Sequence, residues 1–176
     1  RILKALPQAR LVLKAHSCAD KSTQTLLLRR MHRAELPLDR IDWIPLTQTP
    51  EEHLQQYEQL DIALDCVPNG GCTTTCEALW MGVPVITLAG DQYVSRMSTA
   101  VLNGAGLKEW VAVDEDHYVA LAVTQAENLN LLRLNRAHWR QVVQSSPLGD
   151  AAGLMHELEK TFSTMCEHAA MHVTAG

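Results

Sequence analysis

Residues 61–88 read DIALDCVPNGGCTTTCEALWMGVPVITL, and the order of that stretch decides the fold. Asp61 to Val67 is a short, largely apolar run of strand character. A loop of small residues follows, with Gly70, Gly71 and the three threonines Thr73 to Thr75. Thr73 to Met81 then reads as a helix, with Gly82 as its terminator. Val83 to Leu88 is a second strand, apolar without alternation. Such a run suits a strand covered on both faces, as in a parallel sheet, where a helix must carry the chain back between strands.

The same alternation extends outward. Residues 1–6 read as the last turns of a helix that Pro7 ends, with no N-cap before them. A piece of a longer protein is therefore expected. Ala9 to Ala15 is a short strand. Asp20 opens a helix with Leu26, Leu27, Leu28 and Met31 at helical spacing, closed by Pro37. Arg40 to Pro45 is the next strand. Thr49-Pro50-Glu51-Glu52 is a helix start with a hydroxyl cap, a first-position proline and two acids at the positive end of the dipole. That helix runs to about Gln59. Beyond the opening stretch, Ser95 to Leu102 reads as helix, broken by Gly104 and Gly106, and Glu109 to Val113 as a fifth strand. Helices are expected over 114–132, 134–144 and 150–168, the last amphipathic with Leu154, Leu158, Phe162 and Met165, and the tail after it frayed. The whole is one lobe: a parallel α/β sheet flanked by helices over 1–113, and a helical segment over 114–176.

Composition excludes several classes. Hydrophobic residues make up 47% and charged residues 20% of 176, which suits a packed domain rather than a disordered chain. A net charge of −5 argues against nucleic acid as a partner. No apolar run suits a membrane span, and a cytoplasmic location is expected. The five cysteines, Cys18, Cys66, Cys72, Cys76 and Cys166, are scattered and odd in number, so reduced thiols are expected rather than a disulfide framework. Cys66, Cys72 and Cys76 lack CxxC spacing, so small-residue packing outweighs zinc as their reading.

Ligands of parallel sheets bind at the carboxyl ends of the strands, where the Gly/Thr loop falls. The first N–H groups of a helix have no internal partner, and the dipole there favours anions. Neither GxxxxGK[ST] nor GxGxxG is present. A helix cap alone would need one hydroxyl, so three behind two glycines favour an anion site. Glu77, one turn on, suits two vicinal ribose hydroxyls. His53, in the first turn of its helix, is either a surface histidine or a contact to base, ribose or phosphate. Asp65 ends its strand and is a minor cleft candidate, as is His16. Trp43, Trp80, Trp110 and Trp139 lie in apolar patterns and are expected in the core. Asp114-Glu115-Asp116 matches a DxD metal motif but precedes a helix, where capping is the expected role.

Residues 50–112, from PEEHLQQYEQLDIALDCVPNGGCTTTCEALW through LKEWVA, resemble the C-terminal catalytic half of O-linked N-acetylglucosamine transferases and of SPINDLY-type protein O-fucosyltransferases. The tail SSPLGDAAGLMHELEKTFSTMCEHAA is similar to the same family's C-terminus. The resemblance implies the C-terminal, Rossmann-like lobe of a B-type glycosyltransferase, with an N-terminal lobe and tetratricopeptide repeats as further parts. It implies inverting transfer from a nucleotide sugar to serine or threonine of a protein, with no metal and no cofactor. His53 then matches the base contact, Thr73 and Thr74 the diphosphate contacts, and Glu77 the ribose acid. Gly71, Cys72 and Thr75 complete the loop, and Arg96 matches a family arginine. The catalytic histidine and the phosphate-binding lysine are expected before residue 1, so no catalytic residue is expected within the chain. Pro50 and Gln56 stand where the animal enzymes are basic. The donor reading stays open between UDP-N-acetylglucosamine and GDP-fucose. A nucleotide-binding module without catalysis is the alternative. An interaction domain with a decayed site is opposed by the presence of His53, Thr73, Thr74 and Glu77.

Overall fold

The computed structural model describes residues 1–15 and 19–174, with side chains described as far as residue 169. His16, Cys18 and the His172 side chain lie outside the described residues. Helix α1 (Ile2–Ala5) precedes strand β1 (Leu11–Leu13). Helix α2 (Lys21–Arg33) follows, with Asp20 at its N-cap accepting the Thr23 N–H. Strand β2 (Ile41–Trp43) pairs in parallel with β1, Leu11 opposite Ile41 and Leu13 opposite Trp43. Arg40 ties the two ends of this unit together: its guanidinium donates to the carbonyls of Leu3, Leu6, Pro7 and Ala9 at 2.7–3.2 Å.

Helix α3 (Pro50–Gln55) begins as its sequence requires, with Thr49 Oγ1 accepting the Glu52 N–H at 3.2 Å. It tightens into a 3₁₀ turn over Gln56–Gln59. Strand β3 (Ala63–Leu64), helix α4 (Thr73–Trp80), strand β4 (Val85–Leu88), helix α5 (Tyr93–Gly104) and strand β5 (Val111–Ala112) come next. The order β3-β4-β5 is parallel throughout. Val85, Ile86 and Thr87 are 3%, 0% and 1% exposed, so the central strand is covered on both faces, as its unbroken apolar run predicts. Leu79, Val83 and Leu102 complete the fully buried centre. At Gly82 the chain turns with φ +75°, and a Cβ there would lie 2.6 Å from the Arg136 carbonyl oxygen, so only glycine fits.

The structure departs from expectation in several places. The strands are shorter, and their hydrogen bonding forms two separate pieces, β1-β2 and β3-β4-β5. Helix α5 continues through Gly104. The helix expected over 114–132 is two: α6 (Glu115–Ala126) and α7 (Leu129–Leu134). Asn128 breaks it, because its side-chain amide donates to the Thr124 carbonyl while its own backbone leaves helical geometry. Helix α8 (Arg136–Gln144) follows. Helix α9 (Ala151–Thr174) runs past the expected end at His168, with no proline or glycine to stop it before Gly176. Its apolar residues Leu154, Leu158, Phe162 and Met165 are exposed.

Trp110 is buried, with Trp139 edge-on against it at 5.3 Å. Trp80 is instead exposed at the end of α4, covered in part by the Arg140 guanidinium 5.7 Å above its ring. Asp114 caps α6 by accepting the His117 N–H at 2.7 Å, which is the capping role expected of that acid.

Candidate functional site

The Gly/Thr loop lies at the carboxyl end of β3 and is held from inside. Asp65 Oδ1 accepts the Gly71 N–H at 2.7 Å, and Oδ2 accepts the Thr87 hydroxyl at 2.6 Å. The Asp65 carbonyl accepts the Tyr118 hydroxyl at 2.8 Å. Burial, followed by the charges of Asp65 and Cys66, pushes that phenol's pKa up. Asp65 is therefore engaged through both carboxylate oxygens as a brace of the loop. From the other side, Gly70 N–H donates to the Val94 carbonyl at 3.0 Å, and Ser98 donates to the Gly71 carbonyl at 2.7 Å. A hydroxyl has one hydrogen. With that hydrogen on Gly71, Ser98 must accept from Thr75, whose hydroxyl is 3.0 Å away. Gly71 has no room for a side chain, since a Cβ would lie 2.5 Å from Thr74 Oγ1 and 2.8 Å from Thr75 Oγ1.

This bracing divides the threonines. Thr75 is 2% exposed and points inward, so its hydroxyl supports the loop and is closed to a ligand. Thr73 and Thr74 are exposed at the start of α4. Cys72 occupies the N-cap and makes no side-chain capping bond. None of the threonines serves as the cap, which removes the simplest alternative explanation for them. The first internal bond of α4 runs from the Cys76 N–H to the Cys72 carbonyl, leaving the N–H groups before it outside the helix ladder. The positive end of the helix dipole thus faces solvent beside two hydroxyls.

His53 and Glu77 come together here from 24 residues apart, His53 Nε2 lying 3.0 Å from Glu77 Oε2. The Tyr57 hydroxyl donates to the same Oε2 at 3.3 Å, and lies 3.4 Å from the Thr74 carbonyl. Burial, then the charge and hydrogen bond of Glu77, push the Tyr57 pKa up to about 12. Lys14 Nζ lies 2.6 Å from His53 Nδ1 and 3.3 Å from Thr47 Oγ1. Burial lowers the Lys14 pKa, and the Glu77 charge partly opposes that. The Cys76 thiol is pushed up by burial, then by the charges of Cys72 and Glu77. Arg96 is exposed on α5, whose Val94 and Ser98 hold the loop, and has no ion-pair partner among the described residues.

Lys14, Tyr57, Thr87, Ser98 and Tyr118 were not expected in the site. Two of them left a trace in the sequence. Tyr57 stands four residues after His53, on the same helical face. Lys14 is the charged residue that directly follows the apolar run Leu11 to Leu13. Ser98 and Thr87 carry no local signal, because their role depends on a loop more than ten residues away.

Comparison with known proteins gives this geometry a lineage. The family model described as Glycosyl transferase family 41 matches residues 1–158. The chain is 36% identical over 165 residues to the Petunia hybrida protein named probable UDP-N-acetylglucosamine–peptide N-acetylglucosaminyltransferase SPINDLY, covering 94% of this chain and 18% of that protein. The Arabidopsis thaliana protein of the same name is 35% identical over an equal span. A solved structure of a Thermobaculum terrenum O-GlcNAc transferase mutant superposes with a TM-score of 0.81 at 34% identity, covering 96% of this chain and 33% of that one. The chain thus spans about a fifth of the length of the curated relatives it matches. The family match, the shared sequence and the parallel-strand fold agree: the chain belongs to glycosyl transferase family 41 and has the fold of a B-type glycosyltransferase lobe.

Proposed function

We propose that this chain is the donor-binding lobe of a protein O-glycosyltransferase and holds the nucleoside diphosphate of a sugar donor. The observation that carries the reading is the uncapped start of α4, with Thr73 and Thr74 exposed beside it and Glu77 one turn along. The diphosphate lies against the Thr73 and Thr74 N–H and hydroxyl groups. Oε1 of Glu77, which has no hydrogen-bond partner among the described residues, accepts the ribose hydroxyls. His53 lies on the base side of the ribose, Gly71 and Cys72 form the loop surface, and Arg96 contributes positive charge. Thr75 and Asp65 hold the loop and do not touch the ligand.

As the glycosidic bond breaks, charge accumulates on the leaving diphosphate. Donors fixed before the reaction stabilise that charge most where it develops. In this reading the helix start takes the part that a divalent cation plays in other glycosyltransferases, and transfer to serine or threonine inverts the sugar. UDP-N-acetylglucosamine is the donor that the relatives' names indicate, and a GDP-sugar is the alternative. The acceptor is a protein, and the groups that act on it belong to an N-terminal lobe outside these 176 residues. In the longer protein that carries this lobe, Glu77→Ala is expected to raise the donor KM with the fold intact. Unchanged donor kinetics would contradict the proposal.

A further inference from the structure

Lys14 follows β1 and directs its ammonium at His53, 2.6 Å from Nδ1. An ammonium has three hydrogens to donate and no acceptor. The Nδ1 atom facing it must present a lone pair. A ring protonated on both nitrogens would set donor against donor at that distance. The single imidazole hydrogen therefore sits on Nε2, aimed at Glu77 Oε2 at 3.0 Å. Tyr57 reaches the same oxygen at 3.3 Å, so two donors converge on Oε2 and Oε1 is left open among the described residues. The His53 and Tyr57 rings meet edge-on at 5.7 Å, which holds both donors in place.

We infer that Lys14 is a positioning residue of this site: through His53 it selects the Nε2–H tautomer, orients Glu77, and keeps one carboxylate oxygen free for a vicinal diol. The ligand in this inference rests on the nucleotide reading above; the tautomer rests on the distances among Lys14, His53 and Glu77. Lys14 also answers an electrostatic difficulty. A carboxylate one turn from a diphosphate site repels its ligand, and a part-buried ammonium linked to that carboxylate offsets the repulsion.

The test uses the ¹⁵N-labelled chain, with His53 ring signals assigned by their loss in His53→Gln. Two-bond ¹H–¹⁵N spectra of the unliganded wild type should show a pyrrole-type Nε2 and a pyridine-type Nδ1. Lys14→Met should spread the ring between tautomers, and Lys14→Arg should restore the wild-type pattern. Titration with UDP and GDP should show affinity weakened about tenfold in Lys14→Met and within about threefold of wild type in Lys14→Arg, as for loss and retention of a charged hydrogen bond. An Nδ1–H ring in the wild type, or a Lys14→Met spectrum identical to it, overturns the tautomer assignment. Unchanged affinity in Lys14→Met, in a chain whose wild type binds, overturns the positioning role alone. A wild type that binds neither nucleotide overturns the nucleotide reading, while the spectra still decide what Lys14 does to His53.

Discussion

Removing the Ser98 hydroxyl tests whether the loop is braced as described. Ser98 is 0% exposed and Thr75 2% exposed, and one serine oxygen joins Thr75 to the Gly71 carbonyl. Ser98→Ala deletes two neutral hydrogen bonds, about 1 kcal/mol each, and leaves a hydroxyl and a carbonyl without their partner. The sum is a loss of about 2–4 kcal/mol, a large share of the roughly 5–15 kcal/mol that stabilises a domain. Urea unfolding followed by circular dichroism measures it. Thr75→Val in the same background removes the stranded hydroxyl, so the double variant should lose less than the sum of the singles, by about 1–2 kcal/mol. A Ser98→Ala loss below about 0.5 kcal/mol, or strict additivity with Thr75→Val, would refute the bracing network.

Three further outcomes are expected. The Tyr57 pKa is raised from 10.0 to about 12, so between those values the folded chain keeps a proton that the unfolded chain has lost. Its contribution to stability is complete below pH 10 and is lost as pH rises toward 12; alkaline unfolding curves should show this, and Tyr57→Phe should flatten them. Gly82→Ala should cost about 2–4 kcal/mol in a denaturant titration, from a left-handed backbone and a Cβ driven against the Arg136 carbonyl. Leu79→Ala, at a side chain with 0% exposure, should cost about 2–5 kcal/mol in the same assay.

The parts of the fold legible in the sequence are those fixed by neighbours. Asp20, Thr49 and Asp114 cap the helices that follow them, and each bond spans only three residues. The unbroken apolar run at β4 announced a strand covered on both faces. The break at Asn128 leaves no pattern in the sequence, because it depends on a side chain choosing a backbone carbonyl over solvent. Trp80 has apolar neighbours in the sequence, which favour the core, but it falls on the outward side of α4, where Arg140 covers it in part.

The site divides along the same line. Thr73, Thr74 and Glu77 are recognisable because one helix start carries them all. The meeting of His53 with Glu77 and with Lys14 depends on where the fold sets β1, α3 and α4, which no local pattern shows. Nothing local distinguished Thr75 from its two neighbours, although helical geometry turns it inward onto Ser98. Asp65 reads from sequence as a strand-end acid, but its task as a brace depends on Gly71 and Thr87, which only the fold brings beside it.

The proposed function stands or falls on whether the start of α4 binds a nucleoside diphosphate. Isothermal calorimetry of the chain with UDP and with GDP tests it most directly, alongside Thr74→Ala and Glu77→Ala. Binding of at least one nucleotide is expected, weakened by both substitutions, with thermal melts that show the fold retained. Binding of neither nucleotide to the folded wild type, or affinities that both substitutions leave unchanged, would contradict it.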